Sequence, residues 1–168
     1  MPQIILKINS ADDRIITDDN ICCYIAASDL PAAVISKLIS IGKMVLAYGD
    51  NALEFCRNHK LDGVFIKVDT SRPIKSQLKP LREALKGKTL GALIPPRRHE
   101  AMLTSEVEPE VVAFDMSDGI PHNEIISWYE ELFLLPCALY YEQAPADISS
   151  IKSDFVIINA QKNKDSGC

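Results

Sequence analysis

Long apolar runs are missing from this sequence. None approaches the ~20 residues that a membrane-spanning helix needs. The opening, MPQIILKINS, has neither a basic leading segment nor a small-residue cleavage site. Neither a membrane protein nor a secreted one is expected. Positive charge is also in short supply: 18 Lys and Arg stand against 23 Asp and Glu, a net charge of −5. A nucleic-acid partner, which wants a basic surface for its phosphates, is therefore not expected. Zinc-type spacing is absent too. The five cysteines, Cys22, Cys23, Cys56, Cys137 and Cys168, form no C-x-x-C pair and no cluster with histidine. Their number is odd and most lie inside apolar runs, which suits buried reduced thiols of a cytoplasmic protein. His59 and His122 sit in polar surroundings near helix ends and suggest no catalytic triad.

What remains is an ordinary globular composition. It is 47% hydrophobic and 24% charged over 168 residues, enough for one domain with a substantial core. Its organisation is most legible in KMVLAYGDNALEFCRNHKLDGVFIKVD, from Lys43 to Asp69. Met44–Tyr48 is an apolar run too short for a helix and closed by Gly49. Asp50 is placed to cap a helix whose apolar side is Leu53 and Cys56, and Leu61 leads into a second run, Val64–Val68. Two parallel strands joined by one helix need a sheet that is covered on both faces.

The alternation continues along the chain. Further strands are expected at Ile4–Ile8, Ile21–Ala27, Thr89–Ile94, Val111–Asp115, Cys137–Tyr141 and Phe155–Ile158. Helices are expected from a cap at Ser28 or Asp29 to a stop at Gly42, over Lys75–Lys86, from Arg97 to about Thr104, and over Asn123–Leu135. Lys75, Lys79, Arg82 and Lys86 read as the solvated face of their helix. SADDRIITDDN, after the first strand, is too polar for a helix, and only a weak turn is expected near Asp147–Ile151. Val45, Val64, Leu90, Val111, Leu139 and Val156 recur about every 17–28 residues, the rhythm of consecutive βα units. Two closures are open: an eight-stranded (β/α) barrel and an open doubly wound sheet. A barrel normally uses ~250 residues, so this chain would have to economise on helices, after Ile8 and after Glu142.

From about Ile21 to Ala160 the order of these units resembles thiamine phosphate synthase. LAYGDNALEFCRNHKLDGVFIKVD is similar to the family's stretch running from an Asn-Asp pair through a helix to a DGVHLGQ strand. LGALIPPRRHEAM is similar to its strand-and-helix with a Gly-x-Ser turn, and SDFVIINA to its last strand. The resemblance implies an α/β fold, a compact (β/α)8 TIM barrel with some helices short or missing, spanning residues 1–160 before a polar tail, 161–168. It also implies a transferase of thiamine biosynthesis, which joins a pyrimidine pyrophosphate to a thiazole phosphate with magnesium. Asp50 matches the family's metal-binding Asp. The rest of the site departs from the pattern. Gly49 replaces the Asn before it, Phe65 the His of DGVHLGQ, and Tyr141-Glu142-Gln143 a phosphate-holding Gly-Gly pair.

Strand parity supplies candidates independently. A polar residue near the carboxyl end of a parallel barrel strand is tolerated where it points to the mouth. That rule selects Lys67 and Asp69 on the face of Phe65, Asp115 on that of Ala113, Glu142 on that of Tyr140 and Asn159 on that of Ile157. Lys7 and Asn9 satisfy the same rule on the first strand. Lys67, Asp69, Asp115 and Glu142 are the candidate catalytic residues, and Lys67 is expected within salt-bridge reach of an acid. Asn159, with Arg97 and Arg98 at a helix start, would bind ligand.

The favoured reading is a barrel that lacks the parental reaction and binds a small phosphorylated or heterocyclic metabolite. An active transferase using magnesium and a non-catalytic interaction module are the alternatives. Trp128, Tyr129, Leu132 and Phe133 cover nearly two faces of one helix, which leaves room for a homodimer interface.

Overall fold

The computed structural model of the chain describes residues 2–133 and 137–163. Short aliphatic runs become eight strands: β1 (Gln3–Ile8), β2 (Ile21–Ala27), β3 (Met44–Tyr48), β4 (Gly63–Lys67), β5 (Thr89–Ile94), β6 (Val111–Asp115), β7 (Cys137–Tyr141) and β8 (Phe155–Asn159). Each pairs in parallel with the next and β8 returns to β1, so the sheet closes. Of the two closures open to the sequence, the chain takes the compact (β/α)8 barrel.

Among the described residues five helices cover it: α1 (Ala32–Ser40), α2 (Ala52–His59), α3 (Ile74–Ala84), α4 (Arg98–Ser105) and α5 (Asn123–Leu132). None follows β1, and β7 is followed only by a 3₁₀ turn, Ile148–Ser150, the two economies expected of so short a barrel. Some helix ends differ from expectation. Neither Ser28 nor Asp29 caps α1, whose cap is Pro31, because Ser28 is engaged with the end of β3. Asp50 does not cap α2; the cap is Asn51, in the left-handed conformation at φ 57°. Leu135, the expected end of α5, lies outside the described residues; the helix itself stops at Leu132.

Alternation along each strand divides two cores. Ile5, Ile25, Leu46, Phe65, Leu93 and Ile157 fill the barrel interior. Outside it, Leu6, Tyr24, Ile35, Leu38 and Cys56 pack beneath α1 and α2, while Leu78, Phe114, Ala101, Ile126 and Tyr129 pack beneath α3, α4 and α5. Tyr129 meets Phe114 edge-on at 5.3 Å and stacks on Phe133 at 4.8 Å. Inside the barrel the Phe65 ring lies over Gly91, where an added Cβ would come within 2.7 Å of it.

The segment after β1 has its own order without a helix. Its Ser, Asp and Asn side chains compete for backbone groups. Asp13, with a side chain only 2% exposed, accepts from the N–H groups of Asn9 (2.7 Å) and Ser10 (3.1 Å) and pairs with Lys162 at 3.4 Å. Arg14 N donates to Gln161 O and Asn163 N to Asp12 O. Residues 161–163, the start of the polar tail, are therefore tied across the end of β1.

Candidate functional site

The last inward positions of the strands form the floor of a mouth at the carboxyl end of the barrel. Lys7 stands on β1, Tyr48 on β3, Lys67 on β4, Asp115 on β6 and Tyr140 on β7, with Glu142 just beyond. All six line one cavity of about 680 Å³, within the ~300–1,000 Å³ typical of small-molecule sites.

Lys7 is the centre of this arrangement. Its ammonium donates to the Tyr140 hydroxyl at 3.0 Å and lies over the Tyr48 ring, 4.5 Å from its centre. Tyr140 in turn donates to Glu142 Oε2 at 2.7 Å, giving a chain from ammonium through phenol to carboxylate. Burial lowers the Lys7 pKa; Glu142 opposes that shift, Lys67 adds to it, and Asp115 opposes it more weakly. Burial and the Glu142 charge push Tyr140 up, and burial pushes Tyr48 up to about 12. At neutral pH both phenols therefore keep their protons, and Lys7 is the group whose basicity has been weakened.

An amide bridge finishes one rim. Asn9 donates to Asn159 Oδ1 at 2.9 Å, Asn159 donates to the Glu142 carbonyl at 2.9 Å, and the Tyr48 hydroxyl donates to Asn9. Because Asp13 fixes the backbone of Asn9, the helix-free loop after β1 helps set the mouth's shape.

The sequence-derived candidates separate into two groups. Lys67, Asp115, Glu142 and Asn159 meet at the mouth. Asp69 does not: it is exposed and accepts from the N–H and hydroxyl of Ser71 at 3.0 and 2.6 Å, which hold its carboxyl below the ordinary range. The loop turns outward after Val68, which is buried under the helices, so parity stops applying there. Lys67 makes no salt bridge among the described residues, contrary to expectation, because its side chain is exposed and water can solvate the charge.

Arg97 and Arg98 line a separate cleft of about 580 Å³ with His122 and Asn123. Arg97 pairs with Glu100 at 3.0 Å and Arg98 lies over the Trp128 ring at 5.2 Å. Asp50 is exposed, and its carbonyl accepts from Ser28. Among the described residues no three His, Cys, Asp or Glu side chains come together around it or elsewhere.

Tyr48 and Tyr140 are the residues that sequence reasoning passed over. The available signal was an aromatic with a polar tip at the last inward position of a strand, which parity identifies as readily as a lysine.

No protein-family model matches the chain, and no curated protein matches it in sequence. Solved structures do resemble it. One is a ligand-free tryptophan synthase from M. tuberculosis carrying a TrpA substitution, with a TM-score of 0.64 at 11% identity, covering 94% of this chain and 83% of that one. Another is Aspergillus fumigatus Ega3 in complex with galactosamine, with a TM-score of 0.61 at 10% identity, covering 92% and 90%. At such identities the likeness establishes the barrel fold alone. Among the described residues no helix is long and apolar enough to cross a membrane.

Proposed function

We propose that the chain is a small-metabolite barrel that binds an anionic, singly phosphorylated ligand at the mouth and does not carry out the thiamine phosphate synthase reaction. One observation carries the reading. Two ammonium groups, Lys7 and Lys67, line the same mouth cavity, and among the described residues neither is in a salt bridge with a carboxylate. A phosphate at the mouth can take charge-assisted contacts from both, and the Tyr48 and Tyr140 rings offer flat walls to an attached heterocycle.

The parental reaction is disfavoured by the same mouth. Glu142 puts a carboxylate where bare glycine N–H groups would cradle pyrophosphate, and Asp50 stands outside the cavity. The test is a titration with inorganic phosphate followed by proton NMR. The Tyr48 and Tyr140 ring resonances should move while the Trp128 indole stays still. Movement of Trp128 alone would place the anion in the Arg97–Arg98 cleft and overturn the reading. Incubation with both thiamine precursors and magnesium should yield no thiamine phosphate.

A further inference from the structure

The barrel is closed, yet one of its seams is open at the top. Between β3 and β4 the ladder runs only from Leu46–Gly63 to Ala47–Val64, one residue short of the end of β3 at Tyr48, and β4 runs on past β3 to Lys67 with no partner on that side. On its other side β4 pairs with β5 along its whole length, through Lys67–Leu93. The cause lies in the turn after β3. Ser28, at the end of β2, donates its N–H to Tyr48 O at 2.9 Å and its hydroxyl to Asp50 O at 2.6 Å. Gly49 is at φ 103°, and a Cβ there would lie 2.9 Å from the Ser28 hydroxyl oxygen. The top of β3 is thus tied to the end of β2, while its last residue, Tyr48, makes no ladder pair with β4.

The mouth cavity continues through this seam. It is lined by both parities of β4: Phe65 and Lys67 on the barrel side, and Val64 and Ile66 on the helix side. Beyond the seam its wall is aliphatic, made of Ala52 and Leu53 from α2 and Leu81 from α3. A polar chamber holding two ammonium groups therefore opens sideways into an apolar one between two helices.

We propose that the seam is the second compartment of the ligand site and that the ligand is amphipathic: an aryl or short alkyl group joined to a phosphate. The anionic end lies by Lys7 and Lys67, and the apolar end passes between β3 and β4 to meet Leu53, Ile66 and Leu81. This deepens the mouth reading and rests on it. An apolar group moved from water onto such a wall gains affinity in proportion to the area covered. A ligand confined to the mouth gains nothing from it.

The test compares inorganic phosphate, butyl phosphate and phenyl phosphate by calorimetric titration of the intact chain. Either ester should bind at least about tenfold tighter than inorganic phosphate. In Ala52→Met, which narrows the seam, the ratio of ester to inorganic phosphate affinity should fall towards one. Nuclear Overhauser contacts from the ester's apolar protons to the methyl groups of Leu53, Ile66 and Leu81 should appear in the unsubstituted protein, so the result does not depend on the variant folding. Phosphate binding with no gain from the esters, or ester contacts confined to Phe65 and Leu93, would overturn the seam and leave the mouth standing. Absence of binding by all three, or Trp128 responding in place of the tyrosines, would overturn both.

Discussion

Lys7 and Tyr140 are 133 residues apart in sequence, yet the lysine ammonium donates to the tyrosine hydroxyl at 3.0 Å. Barrel closure makes that pair: β1 and β7 are both neighbours of β8, and their last inward positions converge over the same axis. The pair also makes Lys7 the group at the mouth whose titration is most informative.

The Lys7 ammonium should titrate below 10.5 in lysine-labelled carbon NMR. Lys67→Met should raise its pKa, and Glu142→Gln should lower it further, because those charges act in opposite senses. The stability consequence follows from linkage. The folded-state pKa lies below the unfolded one, so between the two the unfolded chain binds more protons and stability rises with pH. Denaturation midpoints across that window should climb with pH in the native sequence, and Lys7→Met should flatten the climb. An unchanged slope in Lys7→Met would show that another group dominates.

Gly91 has no room for a methyl group against the Phe65 ring. Gly91→Ala should destabilise the barrel by about 1–3 kcal/mol, as overpacking of a filled interior does. Phe65→Leu combined with Gly91→Ala should lose less than the two single changes added together, as expected for residues in contact. Strict additivity in chemical denaturation would contradict the packing described.

Asp13 replaces a helix as the organiser of the chain after β1. Asp13→Ala leaves the N–H groups of Asn9 and Ser10 without their acceptor and should cost about 1–3 kcal/mol. Lys162→Ala should cost about 1 kcal/mol or less, since that partner is largely exposed. The two melting curves decide between a carboxylate that holds the loop by hydrogen bonds and one that depends on its ion pair.

Burial pushes Cys137 up to about 12, and raises Cys23 and Cys56 as well. Peptide-resolved alkylation at about pH 8 should leave these three largely unmodified in the folded chain and modify them fully in denaturant. Rapid labelling of Cys23 under native conditions would contradict its place inside the barrel.

The sequence was most informative where periodicity and burial agree. The short apolar runs of β3 and β4, and the spacing of Val45, Val64, Leu90 and Val111, contain the parallel ladder. Parity alone brought Lys67, Asp115, Glu142 and Asn159 to one mouth, because alternation in a closed sheet leaves a residue only two directions. It failed at Asp69, where the chain had already left the strand. It said nothing of the top of β3 being tied to β2, which depends on Ser28 reaching a carbonyl 22 residues away. Arg97 and Arg98, expected to meet a ligand at a helix start, line a cleft separate from the mouth, where Arg97 pairs with Glu100 and Arg98 lies over Trp128.

The most direct test is a calorimetric titration of inorganic phosphate into the native chain, Lys7→Met, Lys67→Met and the double variant at neutral pH. Each single loss should weaken binding about tenfold, the worth of one charge-assisted contact. The double variant should show no measurable binding. Equal affinity in all four proteins would contradict the claim that these two ammonium groups form the ligand site.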